Sequence, residues 1–154
     1  MLLTLDNVQS YLAKKQISAQ MQKDTGQLYI INTFQGIEFP TFLRVYDGGE
    51  LLQILLFIPS NIKAGTEGEV ARLLNLINKE IDIPGWGMDE NSNVIFYRMM
   101  LPAFGKQIQE GLIDLHLRSL ELLCQTFTPA IVAVAQGHMT YEGIVKQLKE
   151  ADKT

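Results

Sequence analysis

The stretch from residue 66 to residue 101, TEGEVARLLNLINKEIDIPGWGMDENSNVIFYRMML, decides the fold. Thr66 and Glu69 have the spacing of a capping box ahead of a helix that we predict over 67–80. Apolar residues recur in this helix every three or four positions and form its buried stripe, which comprises Val70, Leu73, Leu74 and Ile77. A turn at 84–87 and a hairpin over 86–101 follow, so one segment already indicates a mixed α and β domain.

Upstream, the pattern predicts a short helix capped by Thr4 and then four strands, at 19–22, 28–35, 38–46 and 51–58. Pro40 has no N–H to donate, so it belongs near the start of its strand or on an edge. Residues 51–58 are apolar on both faces except for Gln53. A strand of this kind needs cover on each side, helices on one and either helices or another subunit on the other, which is a hint of dimerisation.

Downstream, residues 112–118 alternate between apolar and polar side chains as a strand would, but the following apolar residues recur at helical spacing. We therefore favour one helix over about 112–136. Pro129 lies inside it, and either the helix kinks there or Thr128 caps a new segment. Gly137 ends the helix, and Thr140 is placed to cap a last helix over about 141–150.

Composition restricts the class of protein. The 154 residues predict one domain, 1–154, with enough apolar side chains (47%) to form a core. Thirteen basic and seventeen acidic residues give a net charge of −4, which argues against nucleic acid as a partner. The single cysteine, Cys124, excludes an intrachain disulfide and fits a reducing compartment. Neither a signal peptide nor an apolar run of about 20 residues is apparent, so we predict a cytoplasmic protein without a membrane partner.

No pattern of reactive side chains indicates catalysis. His116 and His138 are far apart and belong to no metal-ligand motif, and Cys124 lies in an apolar helix where a buried, inert thiol is expected. The glycines at 48–49 and 85–87 lack the other residues of phosphate-binding loops. We therefore predict no catalytic, cofactor-binding or metal-binding residues, no cofactor, and a protein that is not an enzyme.

Two further features have ordinary interpretations. The sequence Gly65-Thr66-Glu67-Gly68 precedes a helix and could bind an anion weakly, but the carboxylates of its first turn would repel a phosphate. The acidic pairs Asp89-Glu90 and Glu80/Asp82 border turns, where a solvated surface is expected. The methionines Met88, Met99 and Met100 suit core packing or an adaptable protein-binding surface.

Several segments together resemble the YbjN-type family, whose fold is similar to that of type III secretion chaperones. They are LLNLIN at 73–78, GWGMD at 85–89, NVIFYR at 93–98 leading into Leu101-Pro102, and FTPAI at 127–131. The resemblance covers roughly residues 5–136. It implies an antiparallel sheet with helices on one face, a homodimer, and protein binding without catalysis. The chain departs from the chaperones by an extra helix after Gly137, able to cover a surface that they leave open.

The leading hypothesis is therefore a non-catalytic protein-binding module, chaperone-like or adaptor-like, that acts as a homodimer with a protein partner or client of unknown identity. The alternative is a small-ligand sensory or regulatory domain. It draws on aromatic residues able to line a pocket, namely Tyr29, Phe34, Phe42, Tyr46 and Trp86.

Overall fold

The computed structural model describes residues 1–151. Its helices are α1 (Leu5–Lys14), α2 (Glu67–Glu80), α3 (Glu110–Ala135) and α4 (Tyr141–Ala151). Its strands are β1 (Gln20–Gln22), β2 (Gln27–Phe34), β3 (Ile37–Tyr46), β4 (Leu51–Phe57), β5 (Trp86–Asp89) and β6 (Val94–Pro102). The predicted α+β class is confirmed, and each predicted element is present with bounds that shift by only a few residues.

The six strands form one sheet in the order β1-β2-β3-β4-β6-β5, and every neighbouring pair is antiparallel. Three consecutive hairpins build β1 to β4. The chain then crosses the sheet through α2 and returns as the β5–β6 hairpin, in which β6 pairs with β4. Pro40 lies near the start of β3, which is an interior strand, so the first of its two predicted placements is the one observed.

The core lies between the helices and one face of this sheet, which we call the covered face. Alternate residues of β4 (Leu52, Ile54 and Leu56) are fully buried there. The α2 stripe predicted from the sequence is buried as expected, and α3 adds a row of apolar side chains that includes Leu120 and Ile131. Each aliphatic side chain buried in this way contributes about 1.5–3 kcal/mol to folding.

The predicted capping box at α2 is wrong. Thr66 has φ −103° and ψ −1°, outside the extended region that an N-cap requires, and its hydroxyl donates instead to the carbonyls of Lys63 and Ala135 at 2.7 and 3.0 Å. The Glu69 carboxylate accepts from the Tyr141 N–H at 2.5 Å. Both side chains of the proposed box are thus used to attach α2 to α3 and α4. By contrast, Thr4 caps α1 as predicted, since its hydroxyl accepts from the Asn7 N–H.

Helix α3 is continuous through both ambiguous regions of the sequence. Residues 112–118 are helical, and Pro129 lies inside the same helix, so Thr128 does not cap a new segment. Gly137, with φ +73°, follows the end of α3, and the Thr140 hydroxyl caps α4 by accepting from the Gly143 N–H. By length and composition alone α3 is able to span a membrane, but a core helix of a water-soluble protein passes the same test.

Asn78, which the sequence places off the buried stripe of α2, fixes the start of β5. Its Oδ1 accepts from the N–H groups of Gly85 and Trp86 at 3.1 and 3.0 Å, and its Nδ2 donates to the Trp86 carbonyl at 2.9 Å. One side chain therefore satisfies three backbone groups of the 81–86 turn. It holds Trp86 against Tyr97 in the core, with ring centroids 5.0 Å apart.

Candidate protein-binding face

The second face of the sheet, which we call the open face, lies away from all four helices. Its side chains are half-buried or exposed, and its large apolar side chains stand outside the core cluster. Strand alternation puts apolar residues on this face as well as on the covered face, most clearly in β4. The open face includes Tyr29, Ile31, Pro40, Phe42, Arg44, Tyr46, Leu51, Gln53, Leu55, Phe57, Phe96, Arg98, Met100 and Pro102.

Four aromatic rings cross the open face as a continuous row, one from each of β2, β3, β4 and β6. Ring centroids are 5.2 Å apart for Tyr29 and Phe42, 5.9 Å for Phe42 and Phe57, and 6.4 Å for Phe57 and Phe96. These separations are typical of favourable aromatic pairs. We call these four residues the aromatic row. Isolated exposed apolar residues are normal, but a contiguous row of this length marks an interaction surface.

A band of polar side chains runs beside the aromatic row. Arg44 Nη2 donates to Gln27 Oε1 at 2.8 Å and Nη1 donates to the Tyr46 hydroxyl at 3.2 Å. The Tyr46 hydroxyl lies 3.5 Å from Gln53 Oε1, and Gln53 Nε2 lies 3.6 Å from Met100 Sδ. The open face therefore has an apolar part, which contains the aromatic row, and a polar band. Both run across the strands, side by side.

The charges in the middle of the open face are positive. Arg44 and Arg98 carry them, while the carboxylates of Glu38 and Asp89 stand at the ends of their strands. Within residues 1–151 no ion pair reaches either arginine, and Arg44 Nε is buried without a hydrogen-bond partner. Arg98 leans over the Phe96 ring, 5.7 Å from its centroid. The remaining N–H groups of the two guanidinium groups can donate hydrogen bonds to polar groups of a binding partner.

The adjacent methionines Met99 and Met100 of β6 point to opposite faces of the sheet. Met99 is buried in the core, whereas Met100 is 44% exposed on the open face. The sequence allowed both to be core residues only if both faces of the sheet were covered. Because only one face is covered, Met100 joins the open face, where its flexible side chain suits contact with a protein.

The five aromatic residues considered for a ligand pocket do not lie together. Tyr29, Phe42 and Tyr46 are on the open face. Phe34 packs on Phe39, and Trp86 packs on Tyr97, both on the covered face. The sheet itself therefore separates these side chains into two groups.

The residues examined for chemistry are also separate from one another. His116 lies in the first part of α3 with its Nδ1 2.8 Å from the Leu112 carbonyl oxygen, and His138 is exposed beyond the end of the same helix. Cys124 is buried, and its burial raises the pKa of the thiol to about 12. Among residues 1–151 no group of three or more His, Cys, Asp or Glu side chains is placed to hold a metal ion.

The backbone and carboxylate groups that could serve an anion or acid–base chemistry have local partners. The Gly65 N–H donates to Glu67 Oε2 at 2.8 Å, so the carboxylate of Glu67 already occupies this backbone donor at the start of α2. The Asp89 carboxylate accepts from the Ser92 hydroxyl and the Asn91 N–H, which lowers its pKa and closes the β5–β6 turn. Glu80 forms an exposed ion pair with Lys79 at 2.9 Å.

Helix α4 packs on α2 and leaves the open face uncovered. Arg72 of α2 pairs with Glu142 at 2.6 Å and stands over the Tyr141 ring, 4.1 Å from its centroid. The extra C-terminal helix thus extends the helical layer on the covered face. Within residues 1–151 no helix covers the open face.

Comparisons with known proteins bear on the family and the fold. The model of the YbjN family, described as "Putative bacterial sensory transduction regulator", matches residues 4–133. Among solved structures, the "Crystal structure of YbjN, a putative transcription regulator from E. coli" superposes with a TM-score of 0.65. The two chains share 12% sequence identity over 90% of this chain and 94% of that one, which shows a common fold. A search of curated proteins found no match.

Proposed function

The chain belongs to the YbjN family, and from this membership we propose that it is a non-catalytic protein-binding module, chaperone-like or adaptor-like, that acts as a homodimer. The observation that carries the proposal is the open face, a broad apolar sheet surface that no helix of the described chain covers. A sheet buried on one face normally presents polar side chains on the other. Here the second face carries four clustered aromatic rings, which favours contact with another polypeptide.

The family description as a regulator of sensory transduction is compatible with such a module. A protein that regulates by binding needs a recognition surface and no reactive group. The open face supplies shape, apolar area and two arginines. An unfolded client would lay apolar side chains on the aromatic row, which is the chaperone-like form of the proposal. A folded partner would cover the whole face, which is the adaptor-like form.

The proposal is tested with two matched substitutions that each place one lysine on the surface. Phe57→Lys puts a charge in the centre of the aromatic row, and Leu122→Lys puts one on the outer side of α3, where Leu122 is 65% exposed. Self-association is measured by light scattering. Binding of an unfolded polypeptide is measured by the fluorescence anisotropy of labelled, reduced α-lactalbumin.

We expect wild-type protein to show at least one of these interactions at micromolar concentration. Phe57→Lys should weaken it at least tenfold, because the lysine ammonium loses hydration when the face is covered. Leu122→Lys should leave it unchanged, and circular dichroism should show that both variants are folded. A wild-type chain that stays monomeric and does not bind the unfolded polypeptide contradicts the proposal.

A small-ligand sensory or regulatory domain remains the second candidate, because the family description names sensory transduction. The aromatic side chains that suggested a pocket are divided between the two faces of the sheet. A ligand of this chain would therefore contact either the open face or a groove between helices. A metabolite screen that follows the melting temperature and the fluorescence of Trp86, the only tryptophan, tests this candidate.

A further inference from the structure

We propose that a second copy of this chain covers the open face, sheet against sheet, around a two-fold axis that runs parallel to the strands between β3 and β4. This inference rests on the proposed function and names the partner of the same face. It is carried by three observations: the size of the face, the register of its side chains, and the positions of its two arginines.

The size of the face matches what a stable dimer requires. Four strands, β2, β3, β4 and β6, contribute to it, and β4 is seven residues long. With strands about 4.8 Å apart and a rise of about 3.4 Å per residue, its flat projection is roughly 450 Å². The accessible surface of the side chains exceeds this projection. Two copies therefore bury an area on the order of 1,000 Å², which is what a specific interface needs.

The register divides the open face into rows that run across the strands. One row contains Tyr29, Phe42, Leu55 and Arg98. Each of these residues is the direct cross-strand partner of the next. The next row towards the β3–β4 turn contains Arg44, Gln53 and Met100, and it belongs to the polar band. On the other side, Phe57 and Phe96 are paired in an apolar row. Rows of different polarity thus follow one another along the strand direction.

A two-fold axis parallel to the strands keeps every row opposite the same row of the second copy. When it lies between β3 and β4, each β3 residue faces the β4 residue with which it pairs within its own chain. Phe42 then faces Leu55 of the second copy, and Arg44 faces Gln53 of the second copy. Apolar rows meet apolar rows, and the Arg44 guanidinium lies opposite the side-chain amide of the second copy's Gln53, whose oxygen can accept a hydrogen bond.

The same axis separates the arginines. Arg98 on β6 lies on the opposite side of the axis from Arg44 on β3, and the strand that faces β6 is β2 of the second copy. Arg98 therefore meets the second copy's Tyr29, where a guanidinium above an aromatic ring is favourable. A two-fold axis perpendicular to the strands through the middle of the face would instead place the row of Arg44 on the row of Phe42. Arg44 would then be covered with no polar group of the second copy opposite it, which costs free energy.

The axis passes along the β3–β4 hairpin, so the turn of one copy lies beside the turn of the other. Packed sheets are about 10 Å apart, and two Glu50 residues would be close to that separation. Lys23, in the β1–β2 turn, is exposed at the same end of the sheet but two strands further from the axis. Two Lys23 residues would be roughly twice as far apart as two Glu50 residues, on the same strand spacing.

The test uses two single-cysteine additions, Glu50→Cys and Lys23→Cys, in the full chain with a short bis-maleimide cross-linker. Cys124 is buried and does not compete for the reagent. At concentrations where light scattering gives twice the chain mass, Glu50→Cys should yield mostly covalent dimer. Lys23→Cys, the matched control on the neighbouring turn, should give a several-fold lower yield.

Three results overturn the inference. A dimer in which Glu50→Cys does not cross-link, or in which Lys23→Cys cross-links better, uses another axis or another surface. A monomeric chain whose open face binds reduced α-lactalbumin contradicts the second copy as occupant and the homodimer, and leaves the protein-binding part of the proposed function standing. A monomeric chain that binds neither contradicts both.

Discussion

The ring of Phe96 lies directly on Gly87, its cross-strand partner in the β5–β6 hairpin. A Cβ added at Gly87 would stand 2.6 Å from Cζ of that ring, closer than carbon atoms approach one another. The absence of a side chain at residue 87 therefore leaves room over β5 for the outer end of the Phe96 ring, at the end of the aromatic row. The β5–β6 hairpin, which the sequence predicts, therefore also positions a ring of the open face on which the proposed function depends.

Gly87→Ala tests this relationship. The methyl group should displace the Phe96 ring from the row, destabilise the fold by about 1 kcal/mol, and weaken association through the open face. Gly68→Ala is the matched control, because its Cβ meets no atom within 4 Å. In the first turn of α2 it should raise stability by up to about 1 kcal/mol. Urea unfolding and light scattering measure both effects, and a Gly87→Ala variant that associates as tightly as wild type contradicts the role given to Phe96.

Asn78→Ala should destabilise the protein by about 2–3 kcal/mol, because two backbone N–H groups and one carbonyl at the start of β5 lose their partner together. Since the 81–86 turn positions Trp86, the fluorescence emission of the native state should also shift to longer wavelength. Asn75→Ala, at an exposed position on the same helix, should leave both stability and emission unchanged. Equal effects of the two substitutions would show that the turn does not depend on Asn78.

The link between α1 and α3 should respond to pH. Asp114 accepts from Lys15 Nζ at 2.8 Å and from the Tyr11 hydroxyl at 2.6 Å, and these hydrogen bonds, that of Lys15 foremost, lower the pKa of its carboxyl. A carboxylate with a lowered pKa stabilises the folded state above the unfolded pKa of about 3.9, and its contribution is lost as pH falls through the lowered folded pKa.

Asp114→Asn should therefore unfold at lower urea concentration than wild type at pH 7, and the difference should close as pH falls below about 4. The effect should be modest, because the ion pair is partly exposed. The exposed Asp82 gives the control substitution, Asp82→Asn, which should leave the urea midpoint at pH 7 unchanged. A gap between Asp114→Asn and wild type that stays constant from pH 7 to pH 3 would contradict the ion-pair explanation.

Cys124 should react with a thiol reagent only after unfolding. Burial raises its pKa to about 12, so almost no thiolate is present in the native protein at neutral pH, and the sulfur is also inaccessible. Ellman's reagent should show negligible reaction in buffer and one thiol per chain in guanidinium chloride. Rapid reaction of the native protein would mean that the middle of α3 opens, contrary to its packing.

The secondary structure could be predicted closely because its signals are local. The apolar stripe of α2, the turn residues of the β3–β4 hairpin and the cap at Thr4 each depend on neighbours in sequence. The capping box failed because Thr66 and Glu69 bind residues about 70 positions away, in α3 and α4. Asn78 was missed for a related reason, since its three backbone partners lie beyond the end of its helix.

The candidate face could be predicted only in part. The two apolar sides of β4 indicated that the sheet had a second face to be covered. The membership of that face depends on the register between strands, which sequence alternation within one strand does not provide. For this reason Phe34 and Trp86 were grouped with Tyr29, although the sheet places them on the other side, and the aromatic row through Phe57 and Phe96 emerged only from the paired strands.

The most direct test of the central claim is hydroxyl-radical footprinting of the wild-type protein over a range of concentrations, with mass spectrometry of each modified side chain. If a protein surface covers the open face, the modification rates of Phe42, Phe57, Phe96 and Met100 should fall together as the chain associates. Phe104, which is 89% exposed on the loop after β6, should keep its rate and serves as the internal control. Association that leaves the open-face rates unchanged, or that protects Phe104 or Leu122 instead, would contradict the account.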